Sequence, residues 1–409
     1  FLPLDVVGEI SVNQNASSVL YGANVLGGAV NINTYERSTN GKNGSFSFSG
    51  SNSETYSGSG SFDWKKDNFN FTAAAAYFDS KGSILPGNSP LELQSQDRDA
   101  KYITNSQRKR FSLFTRGEWW FSESSKTGLS INFVTGSKGV APEAHVAPAA
   151  ARLWRYPEWN RLTVSSNSKF RLTSKFDLST VIWLDNFGQK IETYSDLTFS
   201  SLNESQQDKD LTFGGRASFG YSINENHSLL AVVNFSSTAH DEKILNASGT
   251  QTSDYDYSQN FLSSGLEYSY RYEEFTLLAG GVFDLSMINK TGAFSQYGNT
   301  SASAPGVFAS VAWEVSPGWE VFAGVTYRNR FPSLRESFSG ALNRFKANPD
   351  LKPEKGTLTD FGVKFGRNGL TLKLSGFYNS YSDLISQIRL TAAQDAQRRR
   401  MRINLADAT

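Results

Sequence analysis

The chain has 409 residues, of which 38% are hydrophobic, 13% aromatic and 19% charged, and its formal net charge is +1. It contains no cysteine, which excludes disulfides and thiolate metal sites. The near-neutral charge argues against a nucleic-acid partner, and no segment approaches the roughly 18 consecutive apolar residues of a membrane-spanning helix.

The first 37 residues lack the regular pattern of the rest of the chain. Val6–Val12 and Ala29–Asn33 are predicted to be short strands. Between them, Val19–Gly22 predicts one helical turn that ends at its glycine, with Asn15 or Ser17 as the N-cap. The glycines that follow do not have the spacing of a phosphate-binding loop. We therefore expect a small strand–turn–strand unit without a nucleotide site.

From about residue 44 onward, short polar turns alternate with long polar segments, which is typical of an outer-membrane β-barrel. The short turns are Lys65–Asn68, Ser122–Ser125, Thr173–Lys175, Asn224–Asn226, Tyr272–Glu274, Ser316–Gly318 and Gly366–Gly369. The long connections are expected at about 79–109, 137–156, 188–208, 241–257, 287–302, 331–355 and 382–402. A soluble β-sandwich is the alternative, but its hairpins rarely alternate in length so regularly.

The segments between the turns alternate with period two. Phe111–Phe121, Leu211–Tyr221, Trp319–Asn329 and Leu370–Tyr378 each have one apolar face and one face with charge or glycine. Lipid requires the first face and a wet lumen permits the second. Inward charges such as Arg116 are therefore interpreted as lumen charges that bind a plug or water.

Aromatic side chains cluster beside the short turns, as at the headgroup level of a membrane. They are Trp64, Trp119, Trp120, Phe121, Tyr221, Tyr270, Tyr272, Trp313, Trp319 and Phe365. The pattern gives about 15 strands and the start of another, whereas single-chain bacterial barrels have even numbers. We therefore expect an incomplete barrel over residues 38–409. No signal peptide is recognisable at residue 1, so the chain is expected to be processed or a fragment.

Two motifs resemble one known family. Leu20-Tyr21-Gly22 followed by Gly27-Gly28 is similar to the end of the plug domain in TonB-dependent outer-membrane receptors. Far downstream, Phe331–Glu336 and Asn348–Lys355 resemble an extracellular-loop and strand-entry motif of the same family. One departure is Asn13–Asn15, where the family commonly has a basic residue followed by Gly-Pro.

The resemblance implies that residues 1–37 are the C-terminal part of a plug domain and that the barrel has 22 strands, with some missing after Thr409. It implies active import of a scarce ligand across a Gram-negative outer membrane, most often a ferric siderophore, with cobalamin, haem or a glycan as the alternatives. The partners implied are the small-molecule ligand, outer-membrane lipid and lipopolysaccharide, and the TonB energy-transducing complex, which would bind a segment upstream of Phe1. No resident cofactor or metal is implied.

Other functions are weaker interpretations. A passive porin or a binding-only surface receptor is the first alternative, although a porin would not need the plug-like residues ahead of its first strand. An outer-membrane hydrolase is the second, but the chain has no G-x-S-x-G nucleophile motif. The three histidines, His145, His227 and His240, have no metal-binding spacing. We therefore predict a non-enzyme without a metal site.

Basic and aromatic residues in the long connections are the candidate ligand contacts. Arginine forms bidentate hydrogen bonds with carboxylate-type oxygens, which suits an anionic siderophore. The candidates are Trp154, Arg155, Tyr156, Arg335, Arg344, Arg398, Arg399 and Arg400, with Arg402 beside them. Two alternatives remain: these groups hold lipopolysaccharide phosphates, or Arg398–Arg402 is simply the start of a strand.

Overall fold

The computed structural model describes residues 2–14, 18–22, 24–86, 101–143, 145, 151–292, 300–338, 344–367 and 369–405. Within these ranges, no helix has both the length and the apolar character needed to cross a membrane. Strands dominate the described structure. The helical elements named within the described ranges are two 3-10 turns, Leu4–Val6 and Val19–Tyr21, and one short α-helix, α1, at Leu334–Ser337.

The described residues form twenty strands. In chain order they are β1 (Val7–Gln14), β2 (Gly28–Thr34), β3 (Gly41–Ser51), β4 (Thr55–Lys66), β5 (Phe69–Ser80), β6 (Arg108–Ser122), β7 (Ser125–Val140), β8 (Trp154–Arg171), β9 (Phe176–Tyr194), β10 (Leu202–Ser222), β11 (His227–Asn246), β12 (Gln251–Tyr272), β13 (Phe275–Thr291), β14 (Thr300–Ser316), β15 (Trp319–Arg330), β16 (Phe345–Lys346), β17 (Glu354–Arg367), β18 (Leu370–Ser382), β19 (Ile385–Arg389) and β20 (Arg400–Asn404).

Fifteen of these strands form one antiparallel sheet in which neighbours in sequence are neighbours in space. The order runs β18-β17-β15-β14 and then without interruption down to β3, with β3 and β18 at its two edges. β1 and β2 pair with each other in a separate antiparallel sheet. β16, β20 and β19 form a third, three-stranded sheet. The predicted strand count therefore agrees with the main sheet.

The seven predicted short turns all join consecutive strands of this sheet, which confirms the hairpin pattern. Four of them contain a residue in the left-handed region: Asp67 with φ 52°, Glu273 with φ 49°, Gly318 with φ 83° and Gly369 with φ 81°. Tight hairpins need such a residue because positive φ matches the twist of the flanking strands. We call the end of the strands at which these turns lie the short-turn end, and the opposite end of the strands the long-loop end.

Two of the predicted long connections are wrong. β9 continues to Tyr194 and β10 begins at Leu202, while β11 continues to Asn246 and β12 begins at Gln251. Polar composition suggested loops at 188–208 and 241–257, but most of these residues are paired as strands, and only 195–201 and 247–250 lie between strands. Backbone hydrogen bonding between strands does not require apolar side chains, so the sheet extends beyond its apolar band.

The apolar faces point outward, as the alternation predicts. On β10, Leu211 and Phe213 are about half exposed, whereas Ser218 on the other face is buried. Near the short-turn end, rings contact one another around the outside of the sheet. These pairs include Trp64–Phe69, Phe69–Trp119, Phe121–Phe170, Phe176–Phe219, Tyr270–Tyr272 and Trp319–Phe365. The predicted aromatic belt is present.

Residues 2–37, which we call the inner segment, pack against the inner face of the sheet. Val19 is buried and packs with Val232, Val282 and Phe308 from the sheet. Gly265 makes this approach possible, because a Cβ there would lie 2.7 Å from Val19 Cγ1. The main apolar cluster on the inner face therefore includes a residue of the inner segment.

Val232 and Val233 give a direct test of this packing, because they are adjacent on β11 and point to opposite faces. Val232 is 1% exposed and Val233 is 44% exposed. We expect Val232→Ala to lower the free energy of unfolding by about 1–3 kcal/mol more than Val233→Ala, because it leaves a cavity. Urea unfolding in detergent micelles measures the difference. Equal effects of the two substitutions would contradict the assignment of the faces.

Candidate functional site

The 3-10 turn of the inner segment is held at its start by a carboxylate of the sheet. Ser18 is the N-cap, and its hydroxyl accepts a hydrogen bond from the Leu20 amide at 3.2 Å. The same hydroxyl donates to Glu267 Oε2 at 2.8 Å, and the Val19 amide donates to this oxygen at 3.2 Å. The predicted caps were wrong in position: Ser18 is used, and Asn15 and Ser17 lie outside the described residues.

Two arginines of the sheet bind carbonyl oxygens of the same turn. Arg328 donates to the Ser18 carbonyl at 2.7 Å, and Arg216 donates to the Leu20 carbonyl at 3.0 Å. Arg328 is only 1% exposed and lies near the buried carboxylate of Asp284. A buried guanidinium is costly unless it is hydrogen-bonded and near an opposite charge. The inner segment therefore satisfies part of the charge on the inner face.

Two further basic residues of the sheet contact the end of the inner segment. Arg116 donates to the Thr34 hydroxyl and, at 2.6 Å, to the Tyr35 carbonyl. Lys126 lies 2.7 Å from a carboxylate oxygen of Glu36. The prediction that inward charges bind a plug-like segment is thus confirmed for Arg116 and extends to Arg328.

The glycines of the first motif lie at or beyond the end of the 3-10 turn Val19–Tyr21. Gly22 has φ 68°, and a Cβ there would lie 3.3 Å from the Asn234 side-chain nitrogen. Gly28, with φ 126°, begins β2, whereas a Cβ on Gly27 would meet nothing within 4 Å. Leu20 is 37% exposed. Of the three glycines in this motif, Gly22 and Gly28 therefore have a positive φ that favours glycine, and Gly27 does not.

The two motifs that carry the family resemblance contact each other. Asn24, in the left-handed region at φ 64°, accepts a hydrogen bond from the Phe331 amide through its side-chain oxygen at 2.8 Å. Leu26 lies over Gly356. A Cβ at position 356 would come within 2.7 Å of the Leu26 Cδ1 atom. The inner segment thus touches the start of the connection between β15 and β17 and the start of β17.

That connection is fixed by a network centred on Glu336. Ser333 and Glu336 form a capping box on α1, and Arg330 donates two 3.0 Å hydrogen bonds to the Glu336 carboxylate. Arg330 also pairs with Glu354 at the start of β17. Burial by itself would raise the pKa of Glu336, but the Arg330 guanidinium and the Ser333 amide lower it overall. The network joins α1 to both flanking strands.

Four of the candidate residues lie together at the long-loop end. The Arg344 guanidinium lies 5.1 Å from the centre of the Trp154 ring, which also faces Arg152 at 5.5 Å. Arg335 extends from α1 to Asp208 on β10, with 3.4 Å between the charged atoms. The same two charges act on the phenol of Tyr156. Trp154, Tyr156, Arg335 and Arg344 thus combine aromatic surface with positive charge.

The other candidates are already engaged with neighbours. Arg155 donates to the Asn105 side chain at 2.9 Å and stacks over Phe199 at 4.7 Å. Arg399 pairs with Asp395 at 2.9 Å. Arg398 has φ 51° in a turn, and Arg400 is the first residue of β20. This geometry favours the strand-start interpretation of the arginine run.

A cavity of about 550 Å³ opens beneath α1 on the inner face. Its lining includes Arg161, Phe187, Phe261, Leu334 and Arg335. Phe261 also lines a smaller cavity of about 190 Å³ that reaches Gly22 and Asn24. The two cavities thus share the lining residue Phe261, one beside α1 and the other beside the inner segment. Arg161 and Phe261 were not among the predicted ligand contacts, although both lie on inward-facing positions of their strands.

Replacing Glu267 tests whether it holds the 3-10 turn. In Glu267→Gln the acceptor becomes neutral, and a charge-assisted hydrogen bond is about 1.5 kcal/mol stronger than a neutral one. We expect amide hydrogen exchange at Val19 to become about 10-fold faster. Glu225→Gln, in an exposed turn at the same end of the sheet, is the control and should leave this rate unchanged. Equal rates in the wild type and Glu267→Gln would contradict the contact.

The lowered pKa of Glu336 predicts a pH dependence. A carboxylate with a lowered pKa stabilises the fold above its unfolded-state pKa of about 4.3, and this contribution decreases as the pH falls towards the folded-state pKa. We expect wild type to unfold at a higher temperature than Glu336→Gln at pH 7 and this difference to shrink below about pH 4. Thermal unfolding from pH 7 to pH 3 measures it. A difference that does not change with pH would rule out the ion pair.

Comparison with known proteins agrees with this architecture. A family model described as "TonB dependent receptor-like, beta-barrel" matches residues 149–405, more than half of the chain. The iron-regulated outer membrane virulence protein of Vibrio cholerae serotype O1 is 32% identical over 127 residues, which is 29% of this chain and 18% of the relative. The aligned part of that relative is therefore small.

Solved structures share the fold at low sequence identity. The copper transporter OprC superposes with a TM-score of 0.81 at 15% identity, over 100% of this chain and 63% of that one. The FrpB iron transporter from Neisseria meningitidis (F3-3 variant) superposes with a TM-score of 0.73 at 14% identity, over 98% of this chain and 64% of that one. The siderophore receptor PirA from Acinetobacter baumannii superposes with a TM-score of 0.70 at 15% identity, over 100% of this chain and 64% of that one. The chain spans less than two thirds of each, and the predicted antiparallel-barrel fold is confirmed.

Proposed function

The chain belongs to the TonB-dependent receptor family, and from this premise we propose that it takes part in TonB-dependent import of a scarce ligand. The family and its relatives place the protein in the Gram-negative outer membrane, among receptors and transporters rather than enzymes. We propose that the inner segment is the C-terminal part of a plug that closes the barrel. A lumen as wide as that of a 22-stranded barrel must be plugged or it leaks.

A ferric siderophore is the proposed cargo. One relative is named as iron-regulated, and two similar structures are named as an iron transporter and a siderophore receptor. The cluster of Trp154, Tyr156, Arg335 and Arg344 offers aromatic faces and guanidinium groups at the long-loop end. Guanidinium binds carboxylate and related oxygens in a bidentate manner and suits an anionic ligand.

The observation that carries the proposal is the hydrogen bond between Asn24 and Phe331. It joins the inner segment to the connection between β15 and β17, which also presents Arg335 to the cavity. A ligand that fills the cavity beneath α1 would contact Arg335 and Phe261 and so act on Asn24. Movement there would then reach the turn held by Glu267 and Arg328, which we propose is displaced when TonB acts. A passive porin would have no need for such a linked segment.

Uptake of radioactive iron supplied as a ferric siderophore tests the proposal. Gram-negative cells lacking their own receptor should accumulate iron when they produce the protein with its natural flanking sequence, and not when TonB is deleted. Uptake that is independent of TonB would support the porin alternative. Saturable binding without uptake would support a binding-only receptor.

Two arginine substitutions test the proposed ligand contacts. We expect Arg335→Gln and Arg344→Gln each to weaken siderophore binding by about 10-fold, because each removes a charged hydrogen-bond donor worth about 1.5 kcal/mol. Equilibrium binding to the purified protein measures the loss. Arg367→Gln, at the short-turn end, is the matched control and should bind as wild type does. Unchanged affinity in both test variants would exclude these contacts.

A further inference from the structure

Four ionisable side chains form a compact patch where β10 and β11 approach the long-loop end. The strand register places Asp208 directly opposite Glu242 and Asp210 directly opposite His240. Residues two apart on a strand share a face, so all four side chains lie on the inner face. Asp208, His240 and Glu242 are each at most 3% exposed. Two buried carboxylates in directly opposite positions repel each other, which favours a cation between them.

His240 has one nitrogen engaged and one available. Its Nδ1 pairs with the Asp210 carboxylate. Its Nε2 is buried and makes no hydrogen bond within the described part of the chain. This nitrogen faces Glu242, with 3.8 Å between Nε2 and Oε2, which is too long for a hydrogen bond. A buried polar atom without a hydrogen bond is rare in proteins and marks a site where another partner fits.

The separations suit a metal ion. One ligand atom from each of Asp208, His240 and Glu242 lies within 4.8 Å of the other two. Two atoms each bound at about 2.1 Å to a tetrahedral ion lie about 3.4 Å apart. The 3.8 Å between His240 and Glu242 therefore needs to shorten by only a few tenths of an ångström.

The surroundings resemble the outer sphere of a metal site. A histidine that binds metal usually donates its second ring N–H to a carboxylate, which orients the ring, and Asp210 occupies that place. Gln189 and Gln206 each donate to Asp208 at 2.7 Å. A carboxylate has about four acceptor sites. With Arg335 also directed at Asp208, one of these sites is left for a metal bond among the contacts of the described residues.

We propose that Asp208, His240 and Glu242 bind one divalent transition-metal ion, with Zn²⁺ as the best fit. Imidazole favours transition metals over Ca²⁺ and Mg²⁺, and two carboxylates with one imidazole form a three-ligand zinc set that leaves a position for water. Asp210 and His240 also line the cavity beneath α1, so the site adjoins the proposed cargo site, but Zn²⁺ binding is tested without any siderophore and stands or falls by itself. It would join the ends of two long strands beyond the apolar band.

Metal binding to the protein extracted from outer membranes in detergent, without a histidine tag and stripped with a chelator, tests the proposal. We expect calorimetric titration with Zn²⁺ to show one tight site, and metal analysis after dialysis to find about one ion per chain. His240→Gln and Glu242→Gln should lose this site. Asp210→Asn should weaken it by about 10- to 100-fold, because it removes the carboxylate that orients the ring.

His227→Gln is the matched control, because His227 lies at the short-turn end and contacts the Tyr268 hydroxyl. It should bind Zn²⁺ as the wild type does. Zn²⁺ should raise the unfolding temperature of wild type and His227→Gln but not that of His240→Gln, and heat-dependent electrophoretic mobility verifies that each variant is folded. Equal Zn²⁺ affinity in folded wild type and His240→Gln, or displacement of Zn²⁺ by equimolar Ca²⁺, would overturn the proposal.

Discussion

The bond between the buried Arg328 guanidinium and the Ser18 carbonyl is the contact on which the interior depends. Every strand between the edge strands β3 and β18 pairs with a neighbour on each side, so these strands do not need the inner segment for their backbone hydrogen bonds. The charged side chains of the inner face do need partners, because burial without hydrogen bonds is costly. The inner segment supplies carbonyl oxygens to Arg328, Arg216 and Arg116. Its position is thus set by charge satisfaction as much as by the packing of Val19.

The need of polar groups for hydrogen-bond partners also explains how the long-loop end is joined to the inner segment. The connection after β15 begins with Phe331, whose amide needs an acceptor once the strand ends, and Asn24 provides it. A few residues later, Glu336 is fixed by Arg330, so the helix that carries Arg335 cannot move without disturbing β15. The proposed import needs a link of this kind, because a ligand can only shift an equilibrium through groups that it contacts differently in the two states.

Much of this structure could be predicted from periodicity, and the exceptions have physical causes. The polar turns predicted the hairpins, and the alternation predicted which face of each strand meets lipid, since a period of two places every second side chain on the same face. The same composition rule failed at 188–208 and 241–257, where polar residues remain paired as strands. The metal-type cluster was missed because its spacing lies across two strands. Asp208-x-Asp210 and His240-x-Glu242 become one patch only through their register, which no linear motif records.

The balance between a rigid wall and a movable interior follows from the number and kind of contacts. The wall is a continuous ladder of backbone bonds over fifteen strands, which opens only cooperatively. The 3-10 turn is held by a handful of charge-assisted bonds from Glu267, Arg328 and Arg216, each worth about 1.5–3 kcal/mol. Among the side chains of this turn that the structure describes, Val19 is the buried one, and it lies against Gly265, which has no side chain. A pull on the inner segment would therefore break these few directional bonds long before it disturbed the sheet, which is the property that the proposed import requires.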